Sequence, residues 1–204
     1  MIAVVDYGMG NLRSVSKALE KVGGRVSLTG DPVEVARADK VVLPGVGAFE
    51  KAMAHLGAAG LDEAVTASIE AGKPFLGICL GLQLLFETSY EDGEHTGLGI
   101  LPGEVVRFMR DEKRPQLKIP QIGWNRVEVA REAPHFDGIP SATYFYFVHS
   151  YYVAPADESI VAGETEYLGR FASAVWRGNI FACQFHPEKS QKWGLKLLEN
   201  FVKL

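Results

Sequence analysis

The chain has 204 residues, 47% of them hydrophobic and 23% charged, with a formal net charge of −4. That is enough apolar material for one core, and the balance excludes a disordered chain. The slight acidity leaves no footprint for nucleic acid, no apolar run approaches the roughly 18 residues of a membrane span, and the opening MIAVVDYGMGN lacks the cationic stretch of a secretory signal.

The first ninety residues alternate strand-like and helix-like patterns. Ile2 to Asp6 reads as a buried strand, and Leu12, Val15, Leu19 and Val22 then recur at helical spacing up to Gly23-Gly24. Arg25 to Thr29 is a second strand, Asp31-Pro32 an N-cap followed by proline at the first helical position, and Lys40 to Leu43 a third strand. Helices are expected around Ala48 to Leu56 and Leu61 to Ala71. Pro74 to Ile78 is a fourth strand, with a helix over Leu80 to Glu87 behind it. Strands alternating with helices imply a parallel sheet with right-handed crossovers.

Beyond about Gly103 the texture becomes β-branched and aromatic. Glu104 to Phe108, Asn125 to Val129, Thr143 to His149, Ser159 to Thr165 and Phe171 to Phe185 read as strands, the last folded at Arg177-Gly178-Asn179 into a hairpin. Ser190 to Leu204 closes the chain as a helix with Leu195, Leu198 and Val202 on one stripe. No repeat or linker appears, so residues 1–204 are expected to form a single α/β domain: an open, mostly parallel sheet flanked by helices, with an antiparallel extension.

The chemistry concentrates at two places. Cys79 stands between Gly77 and Gly81 where the fourth strand hands over to a helix, a nucleophile-elbow position. The two glycines remove side chains that would crowd so sharp a turn. A helix start also favours a thiolate and leaves backbone N–H groups, that of Leu80 among them, to bind an oxyanion. Far along the chain, His186-Pro187-Glu188 supplies a base and a carboxylate two residues apart, which on extended backbone leave the same face. One nucleophile, one base and one orienting carboxylate make a covalent-catalysis set.

Each feature has a plainer reading. A single cysteine is most often a buried structural one; with His186 and Glu188 present, the catalytic reading is the stronger. Cys183 precedes His186 by three, so on a regular strand it faces the other way and belongs to the core. His55, His95 and His135 sit among polar or turn residues and read as surface. His149 fits core or pocket equally well. Leu43-Pro44-Gly45-Val46-Gly47-Ala48 allows close backbone approach to a ligand but is also an ordinary turn, and it lacks the Lys-Ser/Thr of a phosphate-binding loop. Two cysteines without a CxxC argue against a disulfide framework or a zinc site, and fit a reduced, cytoplasmic enzyme.

Gly77-Ile78-Cys79-Leu80-Gly81-Leu82-Gln83 together with His186-Pro187-Glu188 resembles the class I (triad) glutamine amidotransferases, whose sheet is flavodoxin-like. More narrowly, Asp6-Tyr7-Gly8-Met9-Gly10-Asn11-Leu12, Leu43 to Phe49, Ile122-Gly123-Trp124-Asn125, Tyr146 to Tyr151 and Phe185 to Ser190 are similar to the glutaminase subunits of imidazole glycerol phosphate synthases. The resemblance runs over the whole chain in the expected order, with no departure at a catalytic position.

It implies a glutaminase in which Cys79, His186 and Glu188 hydrolyse glutamine without metal or organic cofactor. Leu80 and the Gly45-Val46-Gly47 backbone would stabilise the oxyanion. Gln83, Gly47 and the main chain of His149, Ser150 and Tyr151 would hold the glutamine. It also implies a heterodimer with a separate (β/α)₈ cyclase subunit of histidine biosynthesis, with Asn11, Trp124, Asn125 and Lys189 at the interface. Three alternatives stay open on the residues alone. One is another glutaminase subunit, such as that of pyridoxal phosphate synthase, although its expected Gly-Gly-Glu-Ser-like loop is missing. Another is a freestanding cysteine peptidase or γ-glutamyl hydrolase, and the last a regulatory module with a vestigial site.

Overall fold

The computed structural model describes all of residues 1–204. Its first part runs β1 (Ile2–Val5), α1 (Leu12–Lys21), β2 (Val26–Thr29), α2 (Pro32–Arg37), β3 (Lys40–Gly45), α3 (Phe49–Ala58), α4 (Leu61–Glu70), β4 (Phe75–Cys79) and α5 (Leu80–Gln83). β1 pairs in parallel with β2 and β3, and β3 with β4. Every residue of β1 and β4 is buried, which is why these strands read as unbroken apolar runs rather than alternating ones. Asp31 caps α2, its side chain accepting from Val33 N–H at 2.8 Å with Pro32 in the first turn.

The second part contributes β5 (Phe86–Ser89), β6 (His95–Thr96), β7 (Leu101–Arg107), β8 (Gln121–Val129), β9 (Thr143–His149), β10 (Tyr151–Pro155), β11 (Val161–Glu166), β12 (Arg170–Arg177), β13 (Ile180–Cys183) and the closing helix α6 (Gln191–Lys203). β12 and β13 form the expected hairpin, with Gly178 in left-handed conformation. β13 then lies parallel to β4. The sheet therefore reads β2-β1-β3-β4-β13-β12-β10-β7-β5-β6, with β11, β8 and β9 branching from β12. The parallel half has flavodoxin-like order and the rest is the antiparallel extension.

Two layers of core follow. Val35, Phe49, Leu56, Leu61 and Val65 from α2, α3 and α4 cover one face of the parallel half. Val15, Leu19, Leu197, Leu198 and Phe201 from α1 and α6 cover the other. The stripe expected on α6 is thus shifted: Leu197 and Phe201 are buried with Leu198, while Leu195 and Val202 are only partly covered.

The expected helix over Leu80 to Glu87 is shorter. It stops at Gln83, and Phe86–Ser89 becomes β5. Leu80, Leu82, Leu84, Leu85 and Phe86 are all buried, so this run has no polar face to keep a surface helix. The Leu98 and Ile100 N–H groups instead pair with the carbonyls of Leu84 and Leu85. β5, β6 and β10 were not expected at all. β10 hides in the aromatic run, parted from β9 by Ser150 alone.

Candidate active site

The seam between β4 and α5 is a strained elbow. Cys79 holds φ 55° and ψ −109°, a conformation that side-chain-bearing residues seldom adopt. The turn is possible because the flanking positions are bare. A β-carbon on Gly77 would stand 2.9 Å from both the Gly81 oxygen and the Ala182 β-carbon, and one on Gly81 would overlap the Leu43 carbonyl. Leu80, first in α5, has an N–H with no carbonyl a turn behind it. Cys79 itself is almost wholly buried.

His186 arrives from the adjacent strand. Its N–H donates to the Tyr146 carbonyl at 2.8 Å, and its own carbonyl accepts from Ser190 Oγ at 2.6 Å. Glu188 does not share a strand face with it, as extended backbone would require. Pro187–Lys189 coil into one 3-10 turn, and that turn brings Glu188 Oε1 back to 2.8 Å from His186 Nδ1. Both side chains are buried. The Nδ1–H therefore points at the carboxylate, and Nε2 is the ring atom left to exchange a proton with the sulfur. Nε2 has no aligned hydrogen bond with another protein group and faces the Cys79 sulfur. Burial acts to lower the His186 pKa, but the sulfur as thiolate and the Glu188 carboxylate outweigh it and push it up to about 10.

In front of the sulfur lies a cavity of about 170 Å³, small enough to suit a free amino acid rather than a peptide or nucleotide. Its walls include Val46, Gly47, Cys79, Leu80, Gln83, His149, Ser150 and Tyr151, all but Val148 and Glu91 of its lining being residues singled out from sequence. Gly45 is one step back, in register with Cys79 at the end of β3. Gly47 holds φ +99°, and Tyr7 steadies the loop by donating from its hydroxyl to the Pro44 carbonyl at 2.9 Å. Burial foremost, with the nearby Cys79 sulfur, raises the Tyr7 hydroxyl above its ordinary pKa. His149 is core and cavity wall at once: Nδ1 lies 2.7 Å from the Tyr151 carbonyl and Nε2 2.9 Å from the Gln121 carboxamide. Burial lowers its pKa to about 4, so the ring is neutral at ordinary pH.

Glu91 is the residue that sequence reasoning missed. Its Oε2 accepts from Phe49 N–H at 2.7 Å, which pins the start of α3 to the cavity rim, and burial raises its pKa. In the sequence it sits in Glu91-Asp92-Gly93-Glu94, indistinguishable from a solvated turn. Two wider grooves, of about 830 and 540 Å³, contain none of Cys79, His186 or Glu188 and carry no comparable set of reactive groups.

The remaining candidates fall into place by burial. Cys183 is fully buried in the layer beneath α1 and α6, a free thiol like Cys79. Burial first, then Glu188 and Cys79, pushes its pKa up. His55 is exposed and His95 half-buried. His135 is not on the surface: it is stacked on Phe181 at 4.1 Å between ring centres, and neither ring nitrogen has a partner. The turn at Pro134–Phe136 tucks beneath α6, where Asn200 donates to the His135 carbonyl at 3.0 Å.

Trp124 is 46% exposed on the outer face of the β8–β9 hairpin, edge-on to its cross-strand partner Tyr146. The Lys189 ammonium lies over the Tyr146 ring, 5.8 Å from its centre. Ile122 and Tyr144 extend this face, and Val148 links it to the site, its carbonyl 4.0 Å from the Cys79 sulfur. Asn11 precedes α1 but its side chain makes no cap bond. Asn125 ties the hairpin to β11, donating to the Glu166 carbonyl and accepting from Arg126 N–H.

The family described as "Glutamine amidotransferase class-I" matches residues 3–204. The chain is 56% identical over 203 residues to "Imidazole glycerol phosphate synthase subunit HisH" of Syntrophotalea carbinolica, covering 98% of each chain. It is 53% identical to the protein of that name from Moorella thermoacetica, over 100% of this chain and 94% of the other. Among solved structures it resembles PurLQS of Thermotoga maritima, at 20% identity and a TM-score of 0.77 over 99% of this chain and 97% of that one.

Proposed function

The chain belongs to the class-I glutamine amidotransferase family, and from that premise we propose that it is the glutaminase subunit of an imidazole glycerol phosphate synthase. The observation that carries this reading is the 56% identity to a subunit of that name over nearly the full length of both chains. The geometry supplies a working mechanism. Cys79 attacks the side-chain carboxamide carbon of glutamine with its proton transferred to His186 Nε2. As the tetrahedral intermediate collapses, His186 returns that proton to the departing nitrogen and ammonia leaves. Water, deprotonated by His186, then cleaves the γ-glutamyl thioester, releasing glutamate and restoring the thiol. Glu188 holds the ring in the tautomer that frees Nε2 and stabilises the imidazolium.

The Leu80 N–H and a backbone N–H of Gly45-Val46-Gly47 stabilise the oxyanion, where loss of a single donor typically costs about 10²–10³ in rate. Gln83, Gly47 and the main chain of His149, Ser150 and Tyr151 hold the substrate. The Glu91 carboxylate at the rim suits its α-ammonium group. No metal or cofactor enters these steps.

The partner is the (β/α)₈ cyclase subunit of histidine biosynthesis, which receives the ammonia. Ammonia released into bulk water would be protonated and diluted, so the site has to open toward its acceptor. The outer face of β8–β9, with Trp124 and Lys189 against Tyr146, is the docking surface beside the sulfur; Asn11 belongs to it on the resemblance, and Asn125 ties the hairpin to β11. A reducing cytoplasm suits the free thiol. The test is glutamate release measured with the subunit alone and with a cyclase subunit plus its nucleotide ligand. Strong stimulation by the partner is expected. Equal rates in both assays would make the protein a freestanding hydrolase instead.

A further inference from the structure

Gln184 is wholly buried just past the end of β13, beside the elbow, and no step above uses it. Its Nε2 lies 3.6 Å from the Cys79 sulfur and its Oε1 3.0 Å from Gln83 Nε2. Gln83 Nε2 in turn lies 3.1 Å from the Tyr151 carbonyl. These contacts settle which way both amides point. A backbone carbonyl only accepts, so the Gln83 atom facing Tyr151 is the nitrogen. The Gln184 atom facing that nitrogen is then its oxygen, and the opposite end, turned to the sulfur, is an N–H donor.

We propose that Gln184 is a fixed hydrogen-bond donor to the Cys79 sulfur, oriented by Gln83 and the Tyr151 carbonyl, and that it favours the thiolate over the thiol and over the thioester. A thiolate accepts a hydrogen bond far more strongly than either neutral form of sulfur. The bond therefore helps create the nucleophile, and it strengthens again as the thiolate leaves during thioester hydrolysis. A carboxamide does not titrate near neutral pH, so this donor stays in place whichever protonation state His186 takes. This assignment rests on the reading of Cys79 as the nucleophile. The titratable groups near the sulfur are His186 with Glu188 behind it, Tyr7 from the segment after β1 and Cys183 of β13; His149 faces His186 from the end of β9, and Glu91 lines the same cavity at its rim.

The experiment is alkylation of the native protein by iodoacetamide across pH, with mass spectrometry separating the Cys79 adduct from that of Cys183. Gln184→Met removes the donor at nearly constant volume. Gln184→Glu keeps the acceptor toward Gln83 and turns a carboxylate to the sulfur. Relative to wild type, Gln184→Met should alkylate about tenfold more slowly at acidic pH and converge on the same rate at alkaline pH. Gln184→Glu should be slower still. A merely structural role would change the rate equally at all pH, and that result, or superimposable profiles, overturns the proposal.

If neither variant folds, the wild-type protein still decides. The Gln184 side-chain amide resonance in ¹H–¹⁵N spectra should move with the midpoint of Cys79 alkylation and stay still in Cys79→Ala. An amide resonance indifferent to that titration overturns the proposal as well. Glutamine turnover by Cys79→Ala in complex with the cyclase tests the underlying reading separately: activity there removes the nucleophile whatever Gln184 does.

Discussion

Gly81 rests so close to the Leu43 carbonyl that a β-carbon on it would overlap the oxygen. That oxygen belongs to β3, which is held in the sheet on both sides by β1 and β4 and cannot retreat. Gly81→Ala should therefore lift α5 from the sheet and carry Cys79 with it. The expected loss is about 1–3 kcal/mol of stability by denaturant unfolding, with a fall in glutamine turnover larger than the unfolded fraction explains. Wild-type turnover in a destabilised Gly81→Ala protein would show that the seat of α5 does not aim the nucleophile.

Cys79→Ala should abolish glutamine-dependent turnover while leaving the ammonia-dependent activity of the complex intact, because free ammonia bypasses this site. Cys183→Ala should keep turnover and lose about 1 kcal/mol as an ordinary core truncation. Loss of chemistry in Cys183→Ala without unfolding would contradict its assignment to the core.

In the proposed triad Glu188 would orient a base and stabilise its charged form, whereas Cys79 and His186 would exchange the proton and form the bond. Glu188→Gln should accordingly retain more turnover than His186→Ala or Cys79→Ala. Steady-state kinetics on the three complexes measure the order. Equal loss in all three would give Glu188 a further role in holding the 3-10 turn.

Trp124 and Lys189 meet on Tyr146 outside the fold's core, so removing either should spare the free subunit. Trp124→Ala should weaken cyclase binding by about 2 kcal/mol, roughly thirtyfold, and Lys189→Ala should reduce binding or stimulated turnover. Titration with the cyclase while following glutamate release gives both numbers. Unchanged affinity and stimulation in both variants would move the docking surface elsewhere.

The buried histidines set opposite pH trends. Burial depresses His135 and His149 from 6.5 to about 4. Between those values the unfolded chain holds the proton and the folded one does not, so stability falls as pH drops from 6.5 toward 4. His186, raised from 6.5 to about 10, contributes stability that is full below 6.5 and fades as pH climbs toward 10. His135→Phe keeps the stacking on Phe181 and removes one acid-sensitive group. Its melting temperature should fall less than that of wild type between pH 7.5 and pH 5; parallel curves would reject the assignment.

What the sequence by itself determined is what short-range chemistry encodes. Alternating β and α periods announced the parallel half, Asp31-Pro32 announced its helix cap, and the glycines around Cys79 announced a sharp turn. Each depends on the conformational limits of a few neighbouring residues. The pairing of His186 with Glu188 was legible as a pair of residue types, although a 3-10 turn rather than a strand face joins them. Only the tertiary structure decided the rest. Phe86–Ser89 abandoned the helix because the run leading into it, Leu80 to Phe86, is buried throughout and β5 gains more from pairing with β7 than from helix propensity. His135 left the surface because α6 closed over its turn. Glu91 and Gln184 reach the cavity and the sulfur from 12 and 105 residues along the chain, through the register of β13 on β4 and the anchoring of a loop to α3. Such neighbours are set by long-range pairing, in which one residue of slip would turn every side chain to the opposite face, and no local pattern records it.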